Sequence, residues 1–126
     1  MSPRAFISFE MEDSWARDFL VQQAKDKSND VEFIDYSVKD PFDSSWKTQC
    51  REKIARTKGT IVLVGKTTYK SDAVIWEIEE TKRQAHRMFG IQINSNDTHR
   101  IPDGLSGFDV IRWNFDHIIR KLSAWE

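Results

Sequence analysis

The run Thr60-Ile61-Val62-Leu63-Val64-Gly65 constrains the fold more than any other stretch of the chain. It is uncharged, rich in β-branched residues and stopped by a glycine. Side chains alternate between the two faces of a strand, so a run this apolar has no polar face to give to water. Such a strand belongs in the middle of a parallel sheet with helices over both sides. Its flanks supply the rest of that architecture. Arg4–Phe9, Val31–Asp35, Met88–Ile93 and Asp109–Trp113 are short apolar runs that read as the first, second, fourth and fifth strands.

Helical patterns fall between them. Glu12-Asp13-Ser14 is an acidic, cap-rich start for a helix bearing Trp15, Phe19 and Leu20. After a loop with Asp40-Pro41, Asp43 or Ser44 can cap a helix whose Trp46, Cys50 and Ile54 recur at i, i+4 and i+8. Val74 to Arg87 reads as a long helix, with Glu77, Glu79 and Glu80 in its first half and Lys82, Arg83 and Arg87 in its second. That order suits the helix dipole. A polar loop from Asn94 to Gly107 precedes the fifth strand. Phe115, Ile118, Ile119 and Leu122 then form the stripe of a last helix.

Strands alternating with helices imply parallel pairing through right-handed crossovers. The expected class is α/β, a flavodoxin-like doubly wound sheet of five parallel strands in the order 2-1-3-4-5, helices on both faces. A chain of 126 residues suits one such domain, spanning 1–126. Ligands of these sheets sit outside the carboxyl ends of the strands, where the strand order reverses. The loops after Phe9, Asp35 and Gly65 border that crevice.

Several chemistries common to this topology are excluded. A flavin phosphate would meet Glu10-Met11-Glu12-Asp13 after the first strand, three negative charges in four residues. A phospho-receiver needs an acceptor Asp at the end of the third strand, which ends instead in Val64-Gly65-Lys66. There is no G-x-G-x-x-G fingerprint and no P-loop. His86, His99 and His117 lack metal-ligand spacing, so no metal is expected. Cys50, the single cysteine, reads as a small core residue and excludes an internal disulfide. Nineteen Lys and Arg against twenty Asp and Glu give a net charge of −1, without the basic excess of nucleic-acid or anionic-membrane binders. No apolar run approaches transmembrane length and no signal sequence is visible, so a cytoplasmic chain is expected.

What remains is Tyr69-Lys70-Ser71-Asp72-Ala73-Val74-Ile75-Trp76-Glu77-Ile78-Glu79. Ser71 or Asp72 can cap this helix, which places Glu77 in opening turns that face the crevice. Periodicity leaves two readings open for Glu77. It complements the helix dipole, worth ~0.3–1 kcal/mol, or it serves a site.

Four segments in register carry a resemblance: Arg4–Phe9, Phe33-Ile34-Asp35-Tyr36-Ser37, Ile61–Gly65 and Trp76-Glu77-Ile78-Glu79. Together they resemble the TIR-like family that includes the NAD-processing subunit of the bacterial Thoeris antiphage system, from Arg4 to about Trp113. The resemblance implies a flavodoxin-like fold. It also implies cleavage of NAD between nicotinamide and ribose, giving a cyclic or otherwise modified ADP-ribose signal that activates a partner effector. The family's catalytic glutamate follows a Ser-x-Trp-x-x-x-Glu pattern. Matching it puts the serine at Ser71 and the glutamate at Glu77, with Ala73 where the family has Trp.

The implied chemistry is sound. Departing nicotinamide leaves an oxocarbenium-like ribose, which a fixed carboxylate can stabilise. The leaving group needs no protonation, so one carboxylate suffices and no cofactor beyond the substrate NAD is expected. Ser8, Phe9, Asp35, Tyr36, Ser71 and Trp76 are the candidate substrate-binding residues. Trp76 either stacks on a base or nicotinamide ring or packs on the sheet. The resemblance further implies self-association. The alternative reading is a non-catalytic TIR-like module that binds proteins or senses a nucleotide.

Overall fold

The computed structural model describes residues 3–27, 30–35 and 44–125. Among them are strands β1 (Arg4–Ser8), β2 (Glu32–Ile34), β3 (Gly59–Val64), β4 (Arg87–Gln92) and β5 (Val110–Arg112). The helices are α1 (Ser14–Asp26), α2 (Ser44–Ala55), α3 (Asp72–Arg83) and α4 (Phe115–Ser123). The strands form one five-stranded sheet in the order β2-β1-β3-β4-β5, and every pairing is parallel. This is the doubly wound order expected from the sequence.

β3 is buried along its whole length. Ile61 and Leu63 join Ala5, Ile7, Phe89 and Ile91 against α1 and α4, which contribute Leu20, Ile118 and Leu122. Val62 and Val64 face the other way and meet Val74 and Ile78 of α3, while Phe6 packs on Trp46, Cys50 and Ile54 of α2. The two sides of the sheet are thus sorted by alternate residues of the same strands.

The structure corrects one helix end and adds detail to a second helix and a loop. α3 ends at Arg83, and Arg87 opens β4 instead of closing the helix. The cause is a Schellman stop: Ala85 N donates to the Lys82 carbonyl and His86 N to that of Thr81, with Ala85 left-handed at φ 58°. On α1, Leu20 is buried with Ala16 and Ala24, whereas Trp15 and Phe19 are 50% and 51% exposed, and Phe19 stacks on Trp113. The small alanines let α1 approach the sheet closely and turn its aromatic ridge outward. The loop after β4 is not wholly irregular, because Asp103–Leu105 forms a 3-10 turn that buries Leu105. The expected cap at Asp43 lies outside the described residues, as do Asp40 and Pro41.

A buried acid closes one side of the crevice. Asp13 ends the 3-10 turn Met11–Asp13, and instead of capping α1 it turns toward Gly65 at the end of β3. A Cβ on residue 65 would lie 2.3 Å from Asp13 Oδ2, so the close approach needs glycine there. Oδ2 is buried with no hydrogen-bond partner among the described residues. Burial, and then the charges of Glu12 and Glu10, push the Asp13 carboxyl up to about 6, against the smaller opposing effects of His99 and Thr68.

Ala85→Gly removes the left-handed penalty and should stabilise the fold by about 1 kcal/mol in urea titrations; an unchanged or lower midpoint would count against the Schellman stop. Asp13 binds its proton more tightly folded than unfolded, so its contribution to stability is complete below about pH 4 and is lost as pH rises through about 6. Asp13→Asn should therefore gain thermal stability relative to wild type as pH is raised through that window. A melting-temperature difference that stays flat across it would refute the assignment.

Candidate active site

α3 starts where its sequence offers a cap: the Ser71 hydroxyl accepts from Val74 N at 3.3 Å. Val74, Ile78 and Thr81 then fall on the face toward the sheet, and Glu77 shares that face at the i+3 spacing. Its side chain is 0% exposed. Ser8, at the carboxyl end of β1, donates to Glu77 Oε1 at 2.6 Å, and the Cys50 thiol of α2 lies 3.5 Å from Oε2. The Thr81 hydroxyl accompanies them, donating to the Glu77 carbonyl at 2.8 Å and bonding Thr60 of β3 at 2.8 Å. Backbone and carboxylate of Glu77 are thus held from α2, β1 and β3. The place is beside the reversal of strand order between β1 and β3, where the topology puts a ligand crevice.

The neighbouring glutamates do other work. Glu80 is buried among Arg83 (Nε at 2.9 Å), Gln84 (2.7 Å) and Arg51 of α2 (3.5 Å). Burial alone would push its carboxyl up, but the hydrogen bonds from Arg83 and Gln84 and the charges of Arg83 and Arg51 hold it below the usual range. Glu80 is thereby committed to joining α2 to α3, and Glu79 pairs with Lys82 at 3.6 Å on the outer surface.

The residues expected at the site separate into two groups. Ser8, Ser71, Trp76 and Glu77 lie on or against α3. Trp76 is half-buried, its ring 5.2 Å from that of Trp46, with the Arg51 guanidinium 5.7 Å from its centroid. Phe9 and Asp35 belong to the α1 side of the sheet. Phe9 is buried in the core under α1 with the Arg17 guanidinium 4.9 Å from its ring, and Asp35 accepts from Arg17 at 2.9 Å. Strand alternation causes the split, because adjacent residues Ser8 and Phe9 must point to opposite faces. Tyr36 lies outside the described residues. Ala73, where the family pattern has Trp, is buried in the cluster of Trp46 and Trp76. Aromatic bulk at this point comes from α2 instead.

Sequence reasoning reads Cys50 as a core residue only and gives Arg17 no role. Cys50 shares an apolar stripe with Trp46 and Ile54, which does say that it faces the sheet. Nothing in that stripe says that a carboxylate reaches it. Nothing in the sequence pairs Arg17 with Phe9 or Asp35; both contacts arise from the packing of α1 on the sheet.

A carboxylate fixed by donors from separate elements cannot swing away from a cation that develops beside it, which is what electrostatic preorganisation requires. Among the described residues no group of three or more His, Cys, Asp or Glu side chains is placed to hold a metal ion, and no helix is long and apolar enough to cross a membrane. Surface cavities of about 220 Å³, between Tyr69, Ile78 and Gly104, and about 410 Å³, beside His99 and Arg112, do not include Glu77.

Solved structures of similar shape share the fold. The TIR domain of the Toll-related receptor TRR-2 from Hydra magnipapillata is 15% identical, with a TM-score of 0.64 over 95% of this chain and 91% of that one. A prokaryotic SEFIR domain is 16% identical, with a TM-score of 0.62 over 98% of both chains. A 3-dehydroquinate dehydratase-like protein from Bifidobacterium longum matches more loosely, at 12% identity and a TM-score of 0.53 over 98% of this chain and 94% of that one. No curated protein matches the sequence. The family model described as Thoeris protein ThsB, TIR-like domain, matches residues 6–98, a span that runs from β1 through Glu77 and β4. The chain belongs to the TIR-like domain family of the Thoeris protein ThsB.

Proposed function

We propose that this chain cleaves NAD at the bond between nicotinamide and ribose, with Glu77 the essential carboxylate, and makes an ADP-ribose-derived signal, cyclic or linear, in antiphage immunity. The observation that carries this reading is the Glu77 carboxylate, held by Ser8 and Cys50 beside the strand-order reversal in a member of the ThsB family. As the C–N bond lengthens, positive charge grows on the ribose and the departing nicotinamide becomes neutral. A preorganised carboxylate favours that charge distribution over the ground state. NAD is the substrate, and no resident cofactor takes part.

On this reading Ser71 acts by starting α3 in the right place, and Trp76 offers a half-buried aromatic face for a ring of the substrate. Phe9 and Asp35, packed with Arg17 on the α1 side of the sheet, lie away from Glu77 and are given no part in binding the substrate. The chain works in the cytoplasm as one domain, self-associates to complete its site, and reaches its effector through the nucleotide product. Nucleic acid and membrane are not partners.

The second reading, a non-catalytic module that senses a nucleotide or binds a protein, is favoured by one observation: Glu77 shows no surface to solvent. Under it the carboxylate is purely a tie between β1, α2 and α3.

The two readings part on one experiment. Glu77→Gln should lower nicotinamide release from NAD by about 10²-fold or more while its circular dichroism stays that of the wild type. Turnover equal to wild type would sink the site assignment. If neither protein turns over NAD, calorimetry with NAD and ADP-ribose separates a sensor from a chain that binds no nucleotide. Light scattering on an active sample should show self-association, and a strict monomer that turns over NAD would refute that part.

A further inference from the structure

Cys50 reads from sequence as a core-filling residue, and its surroundings partly agree: it packs with Phe6, Trp46 and Ile54 and has no exposed surface. Packing does not account for the direction of its thiol. Sγ lies 3.5 Å from Glu77 Oε2, while Ser8 Oγ lies 2.6 Å from Oε1. Each carboxylate oxygen thus faces a donor from a different element, the hydroxyl from β1 and the thiol from α2. Carboxylate oxygens accept, and a thiol is a weak donor. The contact therefore constrains the rotation of the carboxylate more than it strengthens its anchorage.

We propose that Cys50 is a positioning residue for Glu77, its S–H holding Oε2 while the Ser8 hydroxyl holds Oε1. The proposal rests on the NAD-cleaving reading for its kinetic consequence, and on the structure alone for the hydrogen bond. A carboxylate pinned at both oxygens meets the developing cation in one orientation. A misplacement of about 1 Å at a reacting group can cost on the order of 10²-fold in rate. Loss of one weak donor, with Ser8 still in place, should cost less, roughly 3- to 10-fold.

A donor role and a filling role rank substitutions in opposite orders. If Cys50 positions Glu77, Cys50→Ala and Cys50→Val both lower kcat roughly 3- to 10-fold with little change in KM. Cys50→Ser, which restores a donor, recovers most of that loss. If Cys50 only fills space, Cys50→Val keeps kcat, and Cys50→Ser, a polar group in an apolar cluster, is the damaged variant. That second order would overturn the proposal.

A readout without turnover runs in parallel. Cys50 is the only cysteine in the sequence, so the infrared S–H stretch arises from one group. In the folded protein the band should lie below its position in the same chain unfolded in urea, where the thiol meets water. A folded-state band at or above the unfolded position would overturn the proposal. Should wild-type protein and Glu77→Gln release nicotinamide equally, or not at all, the failure belongs to the proposed activity. The infrared band then decides the hydrogen bond by itself.

Discussion

β3 is a strand with no side to give to water, and the other elements are arranged around that constraint. Its six residues are all buried, with β1 and β4 taking its backbone hydrogen bonds and helices covering both faces. Covering two faces from one chain demands crossovers in both directions. The winding must therefore reverse, and it reverses between β1 and β3. The crevice there is a by-product of burying β3. Ser8 and Gly65, the residues at the carboxyl ends of the two strands, meet Glu77 and Asp13.

Three buried carboxylates show three ways of meeting the cost of removing a charge from water. Glu80 takes two arginines and a glutamine and becomes a clamp between α2 and α3. Asp13 stands among acidic neighbours, and its proton affinity rises instead. Glu77 is held by a hydroxyl and a thiol, groups that orient a carboxylate. Of the three, Glu77 has the environment in which orientation is the dominant result.

The strand and helix order was legible because each strand is a short apolar run and each stop has a local cause. The helical pattern of the third helix runs on to Arg87 because Ala85 gives no sign of its left-handed backbone; a glycine there would mark the end at Arg83. On α1 the sequence leaves open which of Trp15, Phe19 and Leu20 is buried. Large apolar residues on a helix read as its buried stripe, but Ala16, Leu20 and Ala24 allow a closer approach to the sheet and took that role. At the site, Glu77 could be placed by helix register, and Ser8 by its position at the end of a strand. The pairing of Glu77 with Cys50 could not, since a contact between two helices depends on their packing and neither periodicity contains it. Asp35, at the end of a strand that borders the crevice in sequence, is bound instead to Arg17 on the opposite face from Glu77.

Among the described residues the sheet ends at both sides in strands of three residues, β2 and β5. Glu32 of β2 is held by Arg4, and Arg112 of β5 by the carbonyls of Asn94, Ser95 and Asp97 in the preceding loop. Edges so short and so charged are poor templates for another chain's backbone. Growth of the sheet from one molecule into the next, the route to cross-β aggregates, is thereby discouraged. The exposed apolar surface lies instead on a helix, where Trp15 and Phe19 of α1 stand out from the molecule.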